Sequence, residues 1–180
     1  MLKVAEGWTI FLDRDGVINK RNFEGYIERI DQFSFLDGAE QAIVNFNKLF
    51  QYTFVVTNQQ GVGKGIMTDR NLSELHGYML EELKKCSANI TKIYYSPDLK
   101  ANPDNTRKPK PDMALKAQQE FGGVDFEKSV MVGDTDGDIA FGRNLGMTTV
   151  LIRSKEIVTE KADYEFDSLL EFSKNITKHA

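Results

Sequence analysis

Short β-rich runs alternate with longer helix-period segments from one end of the chain to the other, and this alternation limits the fold more than any other feature. Strands separated by helices build a parallel sheet with right-handed crossovers, so the loops that follow the strands gather on one rim. The pattern predicts strands over 9–12, 52–56, 92–95, 129–132 and 149–152, with a short one over 164–166. Helices are predicted over 37–50, 69–86, 112–121 and 138–145, and a last one from 167. Asp37 and Thr68 read as N-caps of the first two. The reading is an α/β fold, a three-layer Rossmann-like parallel sheet with helices on both faces, in one domain spanning 1–180. A chain of 180 residues buries roughly 70% of its unfolded surface, enough for a full core.

Three polar clusters fall directly after apolar strands. They are Asp13-Arg14-Asp15-Gly16, Thr57-Asn58-Gln59-Gln60-Gly61, and Gly133-Asp134 with Asp136 and Asp138. Ligands of open α/β sheets bind at that carboxyl rim. Five carboxylates in one crevice raise one another's pKa unless a cation sits among them, and oxygen ligands without His or Cys point to Mg²⁺. A single Asp at a strand end often only caps the next helix, but a pair followed by Gly16 is a less common way to do that. The basic tract Arg107-Lys108-Pro109-Lys110-Pro111 follows the third strand on the same rim, where a lysine beside a metal is what a phosphoryl group needs. Taken alone, such a tract is more often a solvated loop.

Charge and composition exclude other classes. With 23 Lys plus Arg against 27 Asp plus Glu, the net charge of -4 offers no global field for a nucleic-acid backbone. One cysteine rules out a disulfide scaffold and any cysteine-rich zinc site. The start MLKVAEGW lacks the apolar core of a signal peptide, and no run is long enough to span a membrane. A soluble, reducing, cytoplasmic setting follows as the expectation, with no membrane partner, and the sequons at Asn71, Asn89 and Asn175 are then chance matches. GVGKG at 61–65 fails as a P-loop, because Asn58 and Gly65 stand where Gly and Ser or Thr are needed. His76 shares helical spacing with Leu72, Leu75 and Met79 and reads as a buried, satisfied histidine; Cys86 reads as a packing residue, and His179 lies in a solvated tail.

FLDRDGVIN at 11–19, VVTNQQGVGKG at 55–65, RKPKPDM at 107–113 and MVGDTDGD at 131–138 resemble the four motifs of the haloacid dehalogenase (HAD) superfamily of phosphohydrolases. Within it, DRDGVIN, the TNQ motif and RKPxP look most like the branch of D-glycero-D-manno-heptose 1,7-bisphosphate phosphatases and histidinol-phosphate phosphatases. Polynucleotide 3'-phosphatases carry a related trio. The resemblance implies Asp13 as nucleophile, Asp15 as general acid and base, and Thr57 and Lys108 as further catalytic groups holding the transferring phosphoryl. It implies a Mg²⁺ ligand set of Asp13, the Asp15 carbonyl and Asp134, with Asp138 orienting bound water and Asp136 as a cap. Asn19, Tyr26, Asn58, Gln59 and Arg107 are the expected substrate-binding residues, and Lys20, Arg21 and Arg29 are available for a second phosphate or a sugar.

The sequence departs from the heptose branch at 96–106, where SPDLKANPDNT replaces a Cys/His zinc loop, so no structural zinc is expected and Pro97 and Pro103 are the candidates to order the segment. Asp112 and Lys64 also replace the usual glycine and arginine. Neither the stretch before residue 37 nor the third-strand loop has room for a cap domain, so an open, capless site is predicted. The implied partner is a small phosphorylated sugar or related ester, acted on by a monomer, with a heptose bisphosphate ahead of histidinol phosphate or a nucleic-acid 3'-phosphate; a catalytically silent binding module is the alternative to an enzyme.

Overall fold

A computed structural model describes residues 1–178, and His179 lies outside them. The chain opens with β1 (Leu2–Val4) and β2 (Thr9–Leu12), followed by α1 (Ala39–Leu49) and β3 (Tyr52–Asn58). Next come α2 (Gln60–Gly63), α3 (Asp69–Lys85), β4 (Lys92–Ser96), α4 (Asp112–Glu120) and β5 (Ser129–Gly133). The order ends with α5 (Asp136–Asn144), β6 (Thr148–Ile152), β7 (Tyr164–Phe166), α6 (Leu169–Lys174) and β8 (Ile176–Lys178). Six parallel strands form one sheet in the order β4-β3-β2-β5-β6-β7. The order reverses direction between β2 and β5, and that switch point is where a doubly wound sheet opens a crevice.

Period-2 alternation sends successive side chains of each strand to opposite cores. Ile10, Leu12, Val55 and Val132 pack with Ile43 and Phe46 of α1, Leu75 and Met79 of α3 and Phe172 of α6. Phe11, Phe54, Val56 and Met131 pack on the other face with Met113 and Ala117 of α4 and Phe141 of α5. Each large apolar side chain removed from water there contributes about 1.5–3 kcal/mol before the entropy cost.

Several boundaries differ from the pattern-based expectation, each for a local reason. Asp37 does not cap α1; Gly38 does, at φ 76°, where a Cβ would stand 2.6 Å from Leu170. Thr68 caps α3 as expected, its hydroxyl accepting from the Asn71 N–H. Cys86 at the other end of that helix is exposed, so it is not a packing residue. β3 runs on through Thr57 and Asn58, because Asn58 pairs with Ser96 of β4. α5 begins at Asp136, two residues before the predicted start, since Thr135 and Asp138 form a capping box around its first turn. The parallel pair β1 and β8 has no counterpart in the periodicity, as each strand is only three residues long.

Between β2 and α1 the chain forms one 3-10 turn, Ile30–Gln32, and between β4 and α4 it forms no helix or strand. Neither connection among the described residues holds a cap domain. The 97–111 segment is ordered by Asp98 and not by its prolines alone. The Asp98 carboxylate accepts from the Thr106 N–H at 2.6 Å and the Thr106 hydroxyl at 2.7 Å, and those hydrogen bonds hold its pKa below the usual carboxylate range.

Candidate active site

The register of β2 against β5, Leu12 opposite Val132, sets Asp13 beside Gly133 at the head of the switch-point crevice. Its N–H donates to the Val132 carbonyl at 2.9 Å. The backbone then folds back on itself, with the N–H groups of Val17, Ile18 and Asn19 all donating to the Arg14 carbonyl. Gly16 makes that turn at φ 93°, and a Cβ on it would lie 2.1 Å from Oδ2 of Asp134. No side chain fits between the two acidic strand ends.

Lys108 enters the crevice from the loop between β4 and α4 and is buried. Its ammonium donates to Asp13 Oδ1 at 2.8 Å and to the Val56 carbonyl at 2.6 Å, and lies 2.5 Å from Asp138 Oδ1. Asn58 fixes the backbone of that lysine reciprocally, accepting from its N–H at 2.9 Å and donating to its carbonyl at 3.3 Å. Although burial alone would lower it, Asp13 and Asp138 raise the Lys108 pKa, so the charge stays in place.

Asp15 sits in a dense donor shell. Arg14 Nη2 straddles both its oxygens at 3.0 and 2.9 Å, Asn19 donates at 2.8 Å and Gln59 at 2.9 Å. Burial works against ionisation, yet Arg14 and then the Asn19 and Gln59 amides hold the Asp15 pKa below its usual value. Gln59 also donates to the Thr57 hydroxyl at 2.9 Å, which ties the second motif to the first.

The residues named from the sequence separate into groups. Asp13, Asp15, Thr57, Asn58, Arg107 and Lys108 line one open cleft of about 730 Å³. Tyr26 and Gln59 line a smaller adjoining recess that shares Asp15. Tyr26 accepts from Gln60 through its hydroxyl, and the Lys64 ammonium stands 5.5 Å from its ring centre. Asn19 is fully buried and its amide faces Asp15, so the structure places it behind the acid and not on the cleft wall. Lys20 is exposed, and Arg29 pairs with Asp31 at the surface. Asp136 caps nothing; its carboxylate accepts from the Thr159 and Glu160 N–H groups and so pins the loop after β6.

Asp13, Asp134 and Asp138 each bring a carboxylate oxygen to within 4.8 Å of the others. Burial raises Asp13 to about 6 against the pull of Lys108, and burial together with Asp13 raises Asp134 to about 8 against Arg21. Oδ2 of Asp134 is buried without a hydrogen-bond partner. An all-oxygen cluster that the protein's own cations leave under-neutralised, with one orphaned oxygen, fits a hard divalent cation. Arg21 reaches the same place: its Nη2 lies 3.0 Å from Asp134, 3.7 Å from Asp13 and 3.1 Å from the Asp15 carbonyl. Its Nη1 donates to Glu156 at 2.7 Å. Pattern reading assigned Arg14 no role within its cluster and did not connect His76 or Glu156 with this site; the place of Arg14 between Asp13 and Asp15 was the one available signal.

A Rossmann-like sheet with this acidic cluster and a buried lysine at its switch point defines a HAD-type phosphohydrolase site. The HAD-hydrolase-like family matches residues 105–171. A D-glycero-alpha-D-manno-heptose-1,7-bisphosphate 7-phosphatase of Campylobacter jejuni is 36% identical over 82% of this chain and 83% of its own length. One of Mycobacterium tuberculosis is 32% identical over 95% of this chain and 92% of its own. The beta-named counterpart of Pasteurella multocida is 33% identical over 93% and 95%. A crystal structure of D,D-heptose 1,7-bisphosphate phosphatase from B. bronchiseptica, complexed with magnesium and phosphate, superposes with a TM-score of 0.84 at 23% identity, covering 93% of this chain and 97% of that one. The chain belongs to the family of HAD phosphatases that contains these heptose-bisphosphate enzymes.

Proposed function

We propose that the chain is a Mg²⁺-dependent phosphomonoesterase that removes the 7-phosphate of a D-glycero-D-manno-heptose 1,7-bisphosphate. The observation that carries the reading is Asp13, held on the sheet's switch point by Lys108 and facing an open cleft. The names of the family's members supply the substrate class. In the first step a carboxylate oxygen of Asp13 attacks phosphorus, the bond from phosphorus to the ester oxygen breaks, and Asp15 gives that oxygen its proton. The incoming phosphate dianion opposes Arg14 and raises the Asp15 pKa, which loads the proton that is given. Water then attacks phosphorus of the aspartyl-phosphate, Asp15 takes back a proton, and orthophosphate leaves with Asp13 regenerated.

Lys108 and Thr57 hold the phosphoryl oxygens, while Arg107 and Tyr26 reach the remainder of the substrate. Asp13, Asp134 and the Asp15 carbonyl would hold Mg²⁺, with Asp138 setting the water beside it; when bound, the ion neutralises charge on the transferring group. Asn58, Gln59 and Asn19 place Lys108 and Asp15. The proposed enzyme is a single-domain monomer. No described helix is long and apolar enough to cross a membrane, and we assign the enzyme to the cytoplasm. Asp98 orders the substrate loop in place of zinc.

The test is kcat/KM for both heptose bisphosphate anomers, histidinol phosphate and a 3'-phosphorylated oligonucleotide, each with Mg²⁺. A heptose bisphosphate should exceed the others by at least about tenfold, and Asp13→Asn should lose turnover by a factor on the order of 10⁴ or more. Preference for histidinol phosphate or the oligonucleotide would replace the substrate, and turnover surviving in Asp13→Asn would replace the mechanism.

A further inference from the structure

His76 is a buried histidine to which the proposed mechanism gives no part. It lies on α3, 62 residues from Arg14 in sequence, yet its Nε2 is 3.0 Å from Arg14 Nη1 in a buried contact. A guanidinium only donates, so Nε2 accepts and the imidazole proton sits on Nδ1. Burial, then the Arg14 charge, push the His76 pKa down to about 3, which keeps the ring neutral and able to accept. Arg14 is fully buried, and its Nε has no partner. Its other two nitrogens are committed, Nη1 to His76 and Nη2 to the two oxygens of Asp15. The guanidinium is planar and rigid, so fixing Nη1 fixes where Nη2 meets the carboxylate.

We infer that His76 is a positioning residue for the acid and base of the reaction, acting through Arg14 to set the orientation of the Asp15 carboxylate. The inference rests on the proposed role of Asp15. Asn19 and Gln59 hold the same carboxylate from other sides, so loss of His76 leaves Asp15 attached but free to turn with Arg14. The step that suffers is proton delivery to the leaving oxygen, whose geometry must hold to a fraction of an ångström. Attack by Asp13, which Lys108 positions independently, is spared.

That split gives a readout which a purely structural histidine would not move. An alkyl phosphate needs its leaving oxygen protonated, whereas p-nitrophenyl phosphate releases a stable phenolate without it. Because kcat/KM reports only steps through release of the leaving group, it excludes the later attack by water. In His76→Leu, kcat/KM for the best alkyl phosphate of the substrate panel should fall about tenfold, and for p-nitrophenyl phosphate less than threefold. His76→Gln, which keeps an acceptor within reach of Arg14, should recover most of the loss. Should His76→Leu not fold, as judged by circular dichroism, His76→Asn takes its place, being polar but too short to reach Arg14. Equal losses on both esters, no loss on either, or no recovery in His76→Gln would overturn the inference. Asp15→Asn is measured alongside: if it treats both esters alike, the role given to Asp15 fails first and independently of His76.

Discussion

Gly16 meets two demands at once, a left-handed backbone and the absence of a side chain where Asp134 approaches. Gly16→Ala should therefore cost about 1–3 kcal/mol of stability by urea unfolding, and it should lose Mg²⁺ binding by calorimetry because Asp134 is displaced. His76 gives the second prediction at this scale. Unfolded, the imidazole takes a proton near its ordinary value of 6.5, but folded only near 3. Its linkage contribution is thus complete above pH 6.5 and is lost as pH falls toward 3. Between pH 6.5 and 4 the unfolding free energy should fall more steeply in wild type than in His76→Gln; equal slopes would refute the linkage. The place of a candidate residue was legible where it was local: Asp13, Asp15 and Asp134 follow a strand directly, Lys108 lies in the loop after β4, and the fold gathers them at one rim. Arg21 against Asp134 and His76 against Arg14 were not, because each contact joins distant segments that only the fold brings together.

Among the elements, strand and helix order followed from periodicity, while the ends followed from hydrogen bonds that periodicity does not carry. β3 continues into polar Thr57 and Asn58 since β4 offers partners, and β1 and β8 are too short to alternate. The 97–111 loop shows the same limit. Its cysteine-free sequence excluded one way of ordering it, but nothing local marked Asp98 as the hub. Asp98→Ala should leave the Thr106 N–H without its partner and the Thr106 hydroxyl with Ser96 alone, which loosens the loop that carries Arg107 even though the Arg107 Nη1 bond to the residue 98 backbone carbonyl survives the change. KM for the sugar phosphate should rise severalfold with kcat for p-nitrophenyl phosphate within about twofold, and limited proteolysis should cut within the loop. A matching fall in kcat would mean that the loop positions Lys108 as well.

For the whole molecule, the acidic cluster at the switch point is assembled only by folding, so the proposed metal would stabilise the folded chain. Saturating Mg²⁺ at 100 times its dissociation constant should add about 2.7 kcal/mol of stability, seen as a rise in Tm of roughly 5–10 °C that EDTA reverses. Asp134→Asn should show no such rise. The position of β2 in the sheet has a further consequence for how this catalyst comes into being. One flank of β2 is supplied by β3, but the other waits for Ser129 to leave the ribosome and pair with Thr9. Until then Asp13 stands on an edge strand with neither Asp134 nor Asp138 beside it. A nascent chain or an amino-terminal fragment therefore lacks part of the proposed site, and hydrolysis is expected only once the late half of the polypeptide docks on the early half.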